Sequence, residues 1–107
     1  MIRKEIAEYM MKNHEGIMFS ALTNAIKLQE NLRRMHDTNY ALDLRYIATL
    51  SVLDNLTTFT KAIKKANLIA NQEIGSYLTE YDERLRTNAG QYILAKELIE
   101  IFEPKAE

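Results

Sequence analysis

Residues 46–60 read YIATLSVLDNLTTFT, and they hold one charge, Asp54, in fifteen positions. The run is too short and too interrupted to be a membrane span, which needs about 20 consecutive apolar residues. Read as a helix, it is apolar on more than one side, because Ile47 and Leu50 point away from the main apolar stripe. A helix that is apolar nearly all round is buried. In a chain of 107 residues, it is either sandwiched between the other helices or covered by another molecule.

The surroundings settle the choice of helix. Glycine and proline are confined to Gly16, Gly75, Gly90 and Pro104, and helix formers fill the rest, so helix is expected nearly end to end. Leu42, Tyr46, Leu53, Leu56, Ile63, Ala66, Ala70, Ile74, Tyr77, Tyr81 and Leu85 fall largely on one stripe at helical spacing. They define a long amphipathic segment over 39–86. A single helix of that length would extend roughly 70 Å, so a break near 55–58 or 71–75, or a partner chain, is expected.

Before it, Ile2, Ile6, Met10, Ile17, Ala21, Ala25, Leu28, Leu32 and Met35 recur mainly every third or fourth position, which predicts helix over about 2–36. Gly16 either kinks this segment or ends a short first helix. After it, Arg86-Thr87-Asn88-Ala89-Gly90 reads as a turn leading into a last helix over about 89–103, stopped by Pro104. The fold class is therefore all-α: one domain, an antiparallel helical hairpin elaborated to a three- or four-helix bundle.

Between the long segments lies LRRMHDTNY, residues 32–40. Arg33, Arg34 and His36 suit the end of a helix, where cations meet unpaired carbonyls. Asp37, Thr38 and Asn39 suit the start of the next one as N-caps, with Asp43 in its early turns. A lone histidine beside an aspartate lacks the i, i+4 spacing that puts metal ligands on one helix face. The stretch reads as a corner.

Composition narrows function. There are 14 Lys+Arg against 15 Asp+Glu, for a net charge of −1. A dedicated nucleic-acid binder is usually clearly basic. With no cysteine, thiolate metal sites and cysteine nucleophiles are excluded. The N-terminal stretch is too charged for the apolar core of a signal peptide, and a cytoplasmic, membrane-free protein is expected. Hydrophobic residues at 47% and charged residues at 27% fit an ordinary globular chain.

Two constellations of charged residues remain. Lys61, Lys64 and Lys65, with Lys27, Arg33 and Arg34 brought across a hairpin, would form a basic strip able to contact RNA or single-stranded DNA. Glu80-x-x-Glu83 and Glu97-x-x-Glu100 place carboxylates at i, i+3 on successive segments. That pattern resembles the acidic motif of the all-α nucleotide pyrophosphohydrolases, which implies Mg²⁺ held by facing carboxylates. The family's pattern ends in aspartate where this chain has Glu100, and solvated faces with a Glu80–Arg84 pair account for the same letters.

Asn67 and Asn71 sit at the stripe's edge and are expected half-wet. The six tyrosines suit either helix boundaries or interfaces. No nucleophile–base pair, phosphate loop or HExxH motif occurs, so no enzyme and no cofactor is expected. The reading is a small helical interaction module, an adaptor, inhibitor or regulatory subunit that binds another protein or itself. Its surface would lie on Ile47, Leu50, Val52 and Phe59, with Tyr46 at the margin.

Overall fold

Two long helices form an antiparallel hairpin, and two shorter ones close over one end of it. The computed structural model describes residues 2–78 and 82–103. Among them are α1 (Lys4–Asn13), α2 (Glu15–His36), α3 (Leu42–Ile74) and α4 (Asn88–Phe102), with a 3-10 turn at Asp82–Arg86 before α4. The molecule is an all-α helical bundle. Tyr81, Glu80 and Pro104 lie outside the described residues.

The first break falls at His14, whose non-helical backbone (φ −139°, ψ 55°) separates α1 from α2, and Gly16 sits inside the first turn of α2. Glycine was the expected breaker, yet the chain turns two residues earlier. At the α2–α3 corner Arg33, Arg34 and His36 occupy the last turn of α2, and Asp43 the first turn of α3. The expected N-caps do something else. Asp37 ends α2, and its carboxylate accepts from the N–H of Asn39 at 2.9 Å to tighten the turn. The residue preceding α3 is Ala41, with no side-chain cap. Arg45 then reaches back, its Nε donating to the Met35 carbonyl at 3.0 Å. It thereby satisfies one of the open carbonyls that a helix end leaves.

From there α3 runs without interruption for 33 residues, roughly 50 Å. The expected break near 55–58 does not occur. The helix ends in the second expected zone, where Gly75 adopts the left-handed conformation at φ 64° and its N–H bonds the Asn71 carbonyl. Glycine takes this conformation without a Cβ penalty. Tyr77 and Leu85 therefore lie beyond the helix they were expected to extend. The last helix starts where Thr87 caps it, its hydroxyl accepting from the Gly90 N–H at 3.0 Å. Gly90 is needed there for space, because a Cβ would sit 2.0 Å from the Arg84 carbonyl oxygen.

The expected stripe holds in the second half of α3, where Leu56, Ile63, Ala66 and Ala70 are buried, but in the first half the face turned to the core is not the one the large residues mark. Ala48, Val52, Asn55, Phe59, Ala62, Ala66 and Ala70 are buried, whereas Leu42, Tyr46 and Leu53 are exposed. Small side chains let two helices approach closely, and the interaxial distance follows the side chains at the contact. Ala21 and Ala25 on α2 are completely buried as well, so alanines on both helices form the seam. The main core gathers where α1 and α4 join it, around Met10, Met18, Leu28, Phe59, Ile63, Leu78, Leu94 and Leu98. Helix α4 packs chiefly on α2 and only lightly on α3. The first turns of α3 are thus left with α2 as their main support, and only Ala48 and Val52 are buried between residues 42 and 54.

Candidate functional site

The consequence is an apolar surface on the N-terminal half of α3. Leu42 is 78% exposed, Tyr46 64%, Ile47 57%, Leu53 54% and Leu50 47%. Positions 46, 50 and 53 are separated by four and three residues, with 47 beside them, so they share one helix face. That face lies opposite the alanine seam. Together the five side chains leave roughly 600 Å² in water, at the top of the range for the largest apolar patch on a monomer. Arg45, His36 and Met35 line a shallow depression with Leu42, Tyr46 and Thr49, which extends the surface toward the α2–α3 turn.

The residues expected to form a binding surface divide here. Tyr46, Ile47 and Leu50 are exposed, but Val52 is 3% exposed and Phe59 fully buried. The last two are core residues, because they fall on the side of α3 that faces α2. They are unavailable to a partner. Conversely, Leu42 and Leu53 belong to the surface although their spacing assigned them to the buried stripe. The phase of the alanines, Ala48, Ala62, Ala66 and Ala70, was the signal that could have separated the two faces.

Asparagines hold the helices that carry this surface. Asn55 is buried in the seam; its Nδ2 donates to Asn24 Oδ1 at 3.3 Å, and its Oδ1 accepts from Asn31 Nδ2 at 3.0 Å. Asn24 and Asn31 are two turns apart on α2, so Asn55 is pinned between them and fixes the register of the hairpin. Asn67, expected half-wet, is buried. Asn71 is exposed.

Near the other end, the Glu73 carboxylate ties α3 to the α1–α2 junction. One oxygen accepts from Tyr9 Oη at 3.0 Å and lies 2.6 Å from His14 Nε2. The His14 contact, and then the Tyr9 hydroxyl, hold Glu73 below the usual carboxylate range. The same hydrogen bond to Glu73, with desolvation and the nearby negative charge, raises Tyr9 above the usual phenol range.

Lys61, Lys64 and Lys65 are all exposed. Lys61 and Lys65 border a groove with Gly16, Ile17 and Ser20 of α2, whereas Lys61 and Lys64 border another with Asn88 and Gln91 of α4. Two of the expected companions, Arg33 and Arg34, are elsewhere. The antiparallel pairing sets Met35 beside Arg45, so Arg33 and Arg34 lie roughly 20 Å from Lys61 along the hairpin. The three lysines do not extend into a basic strip with them.

The acidic residues are also dispersed. Glu97 is engaged structurally, accepting from the Ile2 N–H at 3.0 Å and facing Arg84 Nη1 at 3.4 Å. Glu83 and Glu100 are exposed, and Glu80 lies outside the described residues. Among the described residues no three metal-ligating side chains converge. None of their helices is long and apolar enough to cross a membrane.

In comparisons with family models, curated proteins and solved structures, nothing matches this chain.

Proposed function

We propose that this chain is a non-catalytic helical interaction module that binds another protein, or a second copy of itself, through the N-terminal half of α3. The observation that carries the reading is the concentration of Leu42, Tyr46, Ile47, Leu50 and Leu53 on one exposed face. Isolated surface leucines are ordinary, but a contiguous patch of this size marks an interaction site. Large anchors at its centre and charges at its edges follow the usual anatomy of an interface. The exposed lysines offer less. A chain with net charge −1 and a basic group limited to three neighbours has little to hold a phosphate backbone.

The test compares the full chain with a Tyr46→Lys/Leu50→Asp variant, both used to capture proteins from the host. Circular dichroism confirms that each is folded, which the exposure of both positions predicts. The expected result is a stoichiometric protein on the unaltered chain that is missing from the variant. Equal capture by both, or capture of nucleic acid that salt removes and Lys61→Glu/Lys64→Glu abolishes, overturns the reading.

A further inference from the structure

We infer that the partner is a protein that lays an acidic amphipathic segment along one edge of α3, with carboxylates at Arg45 and at Lys64 and apolar side chains between them. The inference deepens the proposed function and rests on it. Three observations carry it.

First, one edge of α3 joins two surface depressions. Leu42, Tyr46, Thr49, Leu53, Thr60 and Lys64 are spaced by four, three, four, seven and four residues, so they fall on one line of the helix. Leu42, Tyr46 and Thr49 line the depression at the α2–α3 turn, and Leu53, Thr60 and Lys64 line the groove beside α4.

Second, both ends of that edge are basic. Arg45 and His36 line the first depression, Lys61 and Lys64 line the second, and among the described residues no carboxylate lines either. Asp43 and Asp54 lie about 100° further round α3, toward Ile47 and away from Leu42. Apolar anchors flanked by cations are met by a partner with the same anatomy and the opposite sign. From Arg45 to Lys61 and Lys64 is roughly 24–28 Å along the axis, the length of a helical segment of about 16–19 residues.

Third, Arg45 is already held in place. It is half-buried, and its Nε donates to the Met35 carbonyl at 3.0 Å, which orients the guanidinium. Among the described residues its two terminal nitrogens have no partner. A guanidinium fixed in this way presents a two-pronged fork that matches a carboxylate.

Fluorescence anisotropy with the full chain and two labelled model helices of about 20 residues tests the inference. One helix carries leucines at every third or fourth position and glutamates at both ends; in the other, lysines replace the glutamates. The glutamate peptide is expected to bind at least about tenfold more tightly, and less tightly as salt rises. Arg45→Glu, and separately Lys61→Glu/Lys64→Glu, should each weaken it about tenfold. Circular dichroism confirms folding, and the lysine pair, exposed on α3, keeps the test valid if loss of the Arg45–Met35 bond unsettles the first variant. Binding of neither peptide, equal or reversed preference, or indifference to both charge reversals overturns the inference. So does tighter binding of a single-stranded oligonucleotide, or a dimer in sedimentation equilibrium that Tyr46→Lys dissolves. If the acidic preference fails while Tyr46→Lys/Leu50→Asp still abolishes capture of a protein, the partner's chemistry is wrong and the interaction reading stands. If capture is unchanged as well, both fail.

Discussion

The side-chain oxygen of Asn67 accepts the backbone N–H of Leu78 at 2.7 Å, eleven residues further along the chain. Both residues are buried, so the contact fastens the segment after α3 back onto α3 itself and satisfies a polar group that water does not reach. Replacing Asn67 with alanine leaves the Leu78 N–H without this acceptor. The expected loss is about 1–3 kcal/mol, read as a lower denaturation midpoint with an unchanged denaturant dependence.

Asn55 contributes differently, by selecting one alignment of α2 against α3. Asn55→Ala is expected to cost about 1–2 kcal/mol. The informative measurement is a double-mutant cycle with Asn31→Ala. Coupling of about 0.5 kcal/mol or more is expected, since the two amides bond directly at 3.0 Å. Strict additivity would mean that Asn55 is held by packing alone.

The glycines separate cleanly. Gly90→Ala forces a Cβ against the Arg84 carbonyl, and backbone cannot move aside as a flexible side-chain tip can. A loss of more than about 2 kcal/mol is expected, in the range of overpacked core substitutions. Gly16→Ala meets nothing within 4 Å on a helical backbone, and a gain of about 0.5 kcal/mol is expected. Thermal melts of the two variants should move in opposite directions.

Acid and alkaline titration probe the Glu73 contacts. A carboxylate held below its ordinary value in the folded chain stabilises the fold above the unfolded-state value, and this contribution disappears as pH falls through the folded-state value. The difference in melting temperature between the unaltered chain and Glu73→Gln should therefore be present at neutral pH and close on acidification. Tyr9 has the opposite sign: its raised value stabilises the fold below the ordinary phenol range, and that contribution is lost as pH rises through the raised value. Solvent screening of these exposed groups keeps both effects small.

How much of this was legible in the sequence depends on which physical quantity carried the signal. Helix type, the corner at residues 32–40 and the start of the last helix were readable, because periodicity and turn chemistry are local. The rotational phase of α3 was readable only in its second half, where Leu56, Ile63, Ala66 and Ala70 are buried. In the first half the stripe put Leu42 and Leu53 inside, but the depth of a helix in a bundle is set by its neighbour's proximity, and alanines permit that proximity. The same mistake left Val52 and Phe59 outside. Asn55 and Asn67 were hidden for a related reason: an amide is buried only when its partners arrive, and those partners lie 24 and 31 residues away for Asn55 and eleven for Asn67.

The end of the hairpin near the α2–α3 turn is one layer deep, with Ala48 and Val52 its only buried residues on α3 before Asn55. Protection against amide hydrogen exchange scales with the free energy of opening, and a thin layer opens at little cost. Amides around Ala48 and Val52 should thus exchange faster than those around Ile63 and Ala66. An occupant on the apolar face would slow them, so exchange at this tip becomes a direct meter of occupancy. The segment best placed to bind is also the one that melts first.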